Sequence, residues 1–147
     1  MNLLEKIQED IKKALREKDE LRLSTLRLLV SAAHNAKIEK GRELSDEEVL
    51  EVLQKQVKQR KESIEGYSQG GREDLAEKEK QELAILQEYL PEQISDSEIE
   101  KMVVSAIKET LSSTIADMGK VMGKLSQDLK GKADMGAVSS IVRKKLS

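Results

Sequence analysis

The sequence predicts an all-α, multihelical protein, and three observations predict it. Apolar residues recur at helical spacing along almost the whole chain. No stretch alternates polar and apolar residues as a half-buried strand would. Only Tyr67 and Tyr89 among the 147 residues are aromatic. With no Phe and no Trp, a core must be built from Leu, Ile, Val, Met and Ala, which suits packed helices. Charged residues make up 37% of the chain with both signs interspersed, as on soluble helical surfaces.

The elements follow in order. Leu4, Ile7, Ile11, Ala14 and Leu15 make the stripe of a first helix, which breaks near Lys18–Glu20. In the second, Leu21, Leu23, Leu26, Leu28, Leu29, Val30 and Ala33 spread over most of the circumference, so this helix is expected to be central. Gly41 ends it. Ser45 and Glu48 then form a capping-box pattern ahead of Val49, Val52, Leu53 and Val57. That third helix is expected to run to about Tyr67 and to stop at Gly70-Gly71. A fourth is expected from about Arg72 to Leu90, closed by Pro91, the one proline, which disfavours helix at the residue before it. Ser95 and Glu98 repeat the capping pattern for a fifth helix bearing Ile99, Met102, Val103, Ala106 and Ile107. After an "LSST" loop, Thr114 and Asp117 are placed to cap a sixth with Met118, Val121, Met122, Leu125 and Leu129. A basic turn leads to a seventh with Val138, Ile141, Val142 and Leu146. The domain boundary is expected at "YLPEQIS". This gives an N-terminal helical domain over 1–90, including a connecting helix at about 72–90, and a C-terminal three-helix domain over 95–147.

Composition narrows the chemistry. Without Cys there is no disulfide framework and no thiolate metal site, which fits a reducing compartment. The amphipathic, acid-bearing start is not expected to be a signal peptide, and no run is long enough to span a bilayer. A cytoplasmic location is the expectation. His34 is the single histidine and sits in the most apolar helix, so neither a His/Cys metal cluster nor a Ser-His-Asp triad is indicated. Carboxylates are spread between lysines and none forms an evident acid–base pair. No cofactor is expected. The basic run at 55–65, with Lys55, Lys58, Arg60 and Lys61, is expected to be a solvated face. RNA readers of single strands stack bases on aromatic rings, which this chain lacks, so any RNA contact should read shape and backbone.

Charge is asymmetric. Residues 1–94 hold 17 Lys and Arg against 21 Asp and Glu, whereas residues 118–147 hold seven basic residues against Asp128 and Asp134, a net of +5. A polyanion should meet the protein there. Within this district lies "DMGKVMGKLSQDLKGKAD" (117–134). It is no nucleotide loop, because Gly119 and Gly123 are four apart, Leu125 follows Lys124, and no strand precedes. The two glycines share a helix face and are expected to admit a close-packed neighbour. Lys120, Lys124, Lys130, Lys132, Arg143 and Lys144 are the candidate RNA contacts. Two readings stand for them: a solvated face, or a surface touching phosphates.

The segments "VKQRKESIEGYSQGGREDLAEKEKQELAILQEYLPEQIS" (57–95), "DMGKVMGKL" (117–125) and "KGKAD" (130–134) together resemble the YqeY family. That family is similar to the C-terminal tail region of GatB, a subunit of tRNA-dependent amidotransferase. "ADMG" departs from the Ala-Asp-Gly most usual there. The resemblance implies two helical domains, the second a three-helix unit, joined by a partly helical connection. It also implies a link to carbon–nitrogen ligation with glutamine as amide donor. The tail in GatB helps to hold the tRNA body, and the catalytic sites lie in parts this chain lacks, so no catalytic residue carries over. Asp117 to Gly123, and Gly131 to Asp134, match the tail motif. The implied function is a non-catalytic module binding tRNA, or tRNA with an amidotransferase or other aminoacyl-tRNA enzyme, and neither membrane nor metal. The rival expectations are a helical protein–protein adapter working through the acidic N-terminal domain, and an enzyme of amide transfer in its own right.

Overall fold

The computed structural model describes all 147 residues, in seven α-helices and one short 3-10 turn, with no strand. The chain divides into two compact units, Met1–Leu90 and Pro91–Ser147.

The first unit holds four helices: α1 (Leu3–Glu17), α2 (Glu20–Lys40), α3 (Asp46–Gln69) and α4 (Glu73–Gln87). The break after α1 takes two residues. Lys18 adopts the left-handed conformation, φ 58°, and Asp19 accepts from the Arg22 amide at 3.2 Å to open α2. Gly41, φ 72°, closes α2, where left-handed backbone favours glycine. The capping box at α3 is formed as the sequence indicates, Glu48 N donating to Ser45 Oγ at 3.2 Å and Ser45 N to Glu48 Oε1 at 3.0 Å. The Glu48 carboxylate also receives Arg42 and Lys40, at 2.7 and 2.9 Å. Arg42 foremost, then the Ser45 amide and Lys40, hold it far below the usual carboxylate range.

Ile7, Leu26, Leu29, Val49, Leu53, Val57, Ile85 and Leu86 make this unit's core. Each such side chain withdrawn from water contributes about 1.5–3 kcal/mol. Three expectations are corrected here. The first concerns how far α2 is covered: it packs on α1, α3 and α4, as a central helix should, but is not enclosed. It sinks Thr25, Leu26, Leu29 and Ala33 but leaves Leu28 56% and Ile38 66% exposed. The second concerns the 55–65 run, which is not wholly a solvated face. Arg60 is buried between α3 and α4, ion-paired with Glu82 and with Glu79 at 3.0 Å, and its Nε has no hydrogen-bond partner. The third is that α4 stops at Gln87, not Leu90. Tyr89 turns to donate to Asp10, and Pro91 restricts Leu90.

The second unit is a three-helix assembly of α5 (Asp96–Glu109), α6 (Met118–Leu129) and α7 (Met135–Leu146). Ser95 caps α5 through the Glu98 amide at 3.3 Å, and Asp134 caps α7 through the Gly136 amide at 3.1 Å. The loop between α5 and α6 ends in the 3-10 turn Ile115–Asp117. There the Asp117 carboxylate accepts from the Ser113 and Thr114 amides at 3.0 and 3.3 Å. Ile99, Val103, Ala106, Val121, Leu125, Leu129, Ala133, Val138, Val142 and Leu146 form a core separate from that of the first unit.

Candidate nucleic-acid interface

The basic turn between α6 and α7 is built by backbone. Gly131 takes φ 81°, and the extended segment after Pro91 lies against the turn. Gln93 Nε2 donates to Gly131 O at 3.0 Å and Ile94 N donates to Lys132 O at 3.0 Å. Two of the quoted sequence segments, "YLPEQIS" and "KGKAD", are thereby in contact. Nothing in their spacing pointed to it, since Gln93 reads as an ordinary surface amide.

The six candidate cations do not share one condition. Lys124 on α6 is ion-paired with Glu109 of α5. Lys120 lies 3.7 Å from Asp117 in its own first turn. Lys145 of α7, which was not a candidate, pairs with Glu100 of α5 at 2.9 Å. Lys124 holds the Glu109 carboxyl below its usual range. Lys145 does so for Glu100, with Lys144 adding a weaker pull. For Asp117 the Ser113 and Thr114 amides have the same effect before Lys120 does. Lys130 also has a partner. Lys132, Arg143 and Lys144 are exposed and make no ion pair. The acids of α5 therefore neutralise part of the district that reads as net positive. Sequence counting missed this because Glu100 and Glu109 lie outside the 118–147 window.

The glycines of α6 overturn the packing expectation. Gly119 and Gly123 are both exposed, and a Cβ built at either would meet nothing within 4 Å. The buried face of α6 is carried by Val121, Leu125 and Leu129 instead. An exposed helical glycine costs about 0.5–1 kcal/mol relative to alanine, so this face is less stable than it need be for the fold alone.

No group of three or more His, Asp or Glu side chains is gathered so as to hold a metal ion. His34 is exposed on α2. No helix is long and apolar enough to cross a membrane.

Residues 4–146 match the family described as Yqey-like protein. The chain belongs to that family. The Yqey-like chain is 35% identical over 133 residues to a protein of Pyrenophora tritici-repentis named Altered inheritance of mitochondria protein 41, mitochondrial. The match covers 89% of this chain and 73% of that one. The protein of the same name from Clavispora lusitaniae is 30% identical over 144 residues, 96% of this chain and 83% of that one. That of Lachancea thermotolerans is 34% identical over 110 residues, 73% of this chain and 59% of that one. The matched part thus spans little more than half of the Lachancea protein. The family match takes in both units of the Yqey-like chain except residues 1–3 and 147.

Proposed function

We propose that the chain is a non-catalytic helical module that binds RNA of the tRNA class through its second unit. The exposed cations Lys132, Arg143 and Lys144, which make no ion pair, carry the reading. Cations already matched to carboxylates have little left to offer a phosphate, whereas these three do. The open face of α6 at Gly119 and Gly123 supports it, since a backbone can approach there without meeting side chains. The resemblance to the GatB tail supplies the class of RNA and links the module to enzymes of glutamine-dependent amide transfer on tRNA. The cytoplasm remains the proposed compartment. The fungal relatives carry "mitochondrial" in their names, so fractionation of the source cell is the direct check.

The test is a filter-binding titration against several tRNAs at a series of salt concentrations. Replacing Lys132, Arg143 and Lys144 together with Ala should weaken binding to all of them and flatten the salt slope by roughly one unit per lost contact. If the triple variant keeps the parent's affinity and slope, the surface is merely solvated and the RNA reading fails.

A further inference from the structure

Helix α2 carries a second face that the fold of one chain leaves uncovered. Ser24, Leu28, Ser31, Asn35 and Ile38 follow one another at spacings of four, three, four and three, and all five are exposed. At about 100° per residue they form a single seam, opposite buried Ala33. The seam contains no charged residue, in a chain that is 37% charged. Its two large residues are among the most exposed apolar side chains of the molecule, Leu28 at 56% and Ile38 at 66%. No side-chain hydrogen bond engages Ser31 or Asn35. The sequence of α2 thus reads as a helix covered on two sides, and one chain covers one.

We propose that a second copy of this chain covers the other, through antiparallel packing of α2 on α2 about a two-fold axis level with Ala33. The order of the seam selects this occupant. Leu28 and Ile38 each lie five positions from Ala33, and Ser31 and Asn35 each lie two from it. In the antiparallel pair Leu28 therefore meets Ile38 of the second copy, and Ser31 meets Asn35. Apolar residues face apolar ones, and the Asn35 amide gains a hydroxyl. An amide at such a seam also favours this register, because a slip of three toward the N-terminus would set it against Leu28, and one of seven toward the C-terminus against Ile38. Charge agrees with the direction. The two helix dipoles oppose each other. Arg27, exposed and without an ion pair, comes level with exposed Glu39 of the other copy, in a last turn whose Lys37 and Lys40 are already paired with Glu43 and Glu48. A single helix pair is a small interface, so association in the micromolar range is expected rather than an obligate dimer. A surface of this kind lets two basic units act on one RNA, but its formation does not depend on RNA.

The experiment is sedimentation velocity on the whole chain without RNA, from about 1 µM to about 1 mM, alongside circular dichroism. The parent should shift from monomer to dimer over this range. Leu28→Glu and Ile38→Glu should weaken dimerisation at least tenfold while leaving the helical spectrum unchanged, as both side chains are already in water. Because the chain has no cysteine, register can be read separately. An equimolar mixture of Ser31→Cys and Asn35→Cys should give a disulfide-linked dimer on mild oxidation. Ser24→Cys alone should not, since the two copies of position 24 would stand about 27 Å apart along the axis. A parent that stays monomeric at every concentration overturns the proposal. So does a dimer indifferent to both glutamates, or one that is cross-linked through position 24.

Discussion

The Tyr89 hydroxyl donates to the Asp10 carboxylate at 2.5 Å, binding the last turn before Pro91 back onto α1. Beside it Arg22 grips Glu88 with two hydrogen bonds, at 2.5 and 3.3 Å. The end of the first unit is thus fastened twice, by adjacent residues, to different helices.

Tyr89→Phe should cost about 1 kcal/mol, the net worth of one such hydrogen bond, and should speed proteolytic cutting at 88–95. The bond also sets a pH signature. Partial burial alone would raise the Asp10 carboxyl, but the hydrogen bonds from Tyr89 and Lys6 outweigh it and hold the carboxyl below its ordinary value of 3.8. A lowered folded value means stability present above the unfolded value and lost as pH falls below about 4. Burial first, then Asp10, raise the Tyr89 phenol well above 10.0, so its contribution is intact below pH 10 and is lost above it. Ultraviolet titration in a Tyr67→Phe background, where Tyr89 is the one phenol, should show ionisation displaced to high pH. Asp10→Asn should move it back.

Arg60 predicts a larger effect. Replacing it with Ala leaves Glu82 buried, with Glu79 beside it, facing no cation, and should cost about 3–5 kcal/mol in urea unfolding. The paired change Arg60→Met with Glu82→Leu should recover most of that loss. Equal destabilisation by the single and double variants would show that packing, not the ion pair, governs this site.

Gly119→Ala and Gly123→Ala should each stabilise the protein by about 0.5–1 kcal/mol, because open space surrounds both positions and alanine is the better helix former. The close packing expected from their spacing would have required the opposite sign. Thermal unfolding decides between them. If the open face is where an RNA backbone approaches, the same variants should bind tRNA less tightly while being more stable.

Removing an acid should strengthen the basic surface. Glu109→Gln releases Lys124, and Glu100→Gln releases Lys145. Each variant should bind tRNA more tightly at low salt, with a salt slope steeper by roughly one unit. Unchanged binding would mean that the lysine beside α5 never reaches the ligand.

Much of the helical order was legible because capping is local. Ser45, Ser95 and Gly41 act within a few residues of themselves, so their roles can be read without knowing what packs where. What eluded the sequence was partnership across distance. Arg60 looked like its neighbours Lys58 and Lys61, and only the return of α4 shows that it is enclosed by Glu79 and Glu82. Gly119 and Gly123 have the spacing of a packing face, but spacing cannot say whether a neighbour is present. The apolar belt of α2 was read correctly as that of a central helix, but periodicity does not say which of its side chains the fold covers, and Leu28 and Ile38 stay exposed. The lysines of 118–147 were counted against near acids alone, so the carboxylates of α5 were overlooked.

The strap formed by Gln93 and Ile94 gives the turn at Lys130–Ala133 an unusual dependency. Those two residues stand at the head of the second unit, nearly forty positions before the turn they hold. During synthesis the turn cannot be clasped until α5 and α6 have both been made and folded back, so the basic corner is the last part of that loop to close. A displacement of the chain after Pro91 is therefore expected to reach the backbone at Gly131 and Lys132 through these two hydrogen bonds. Amide exchange at Ile94, whose side chain packs on the same core as Ala133, should therefore report on the state of that corner.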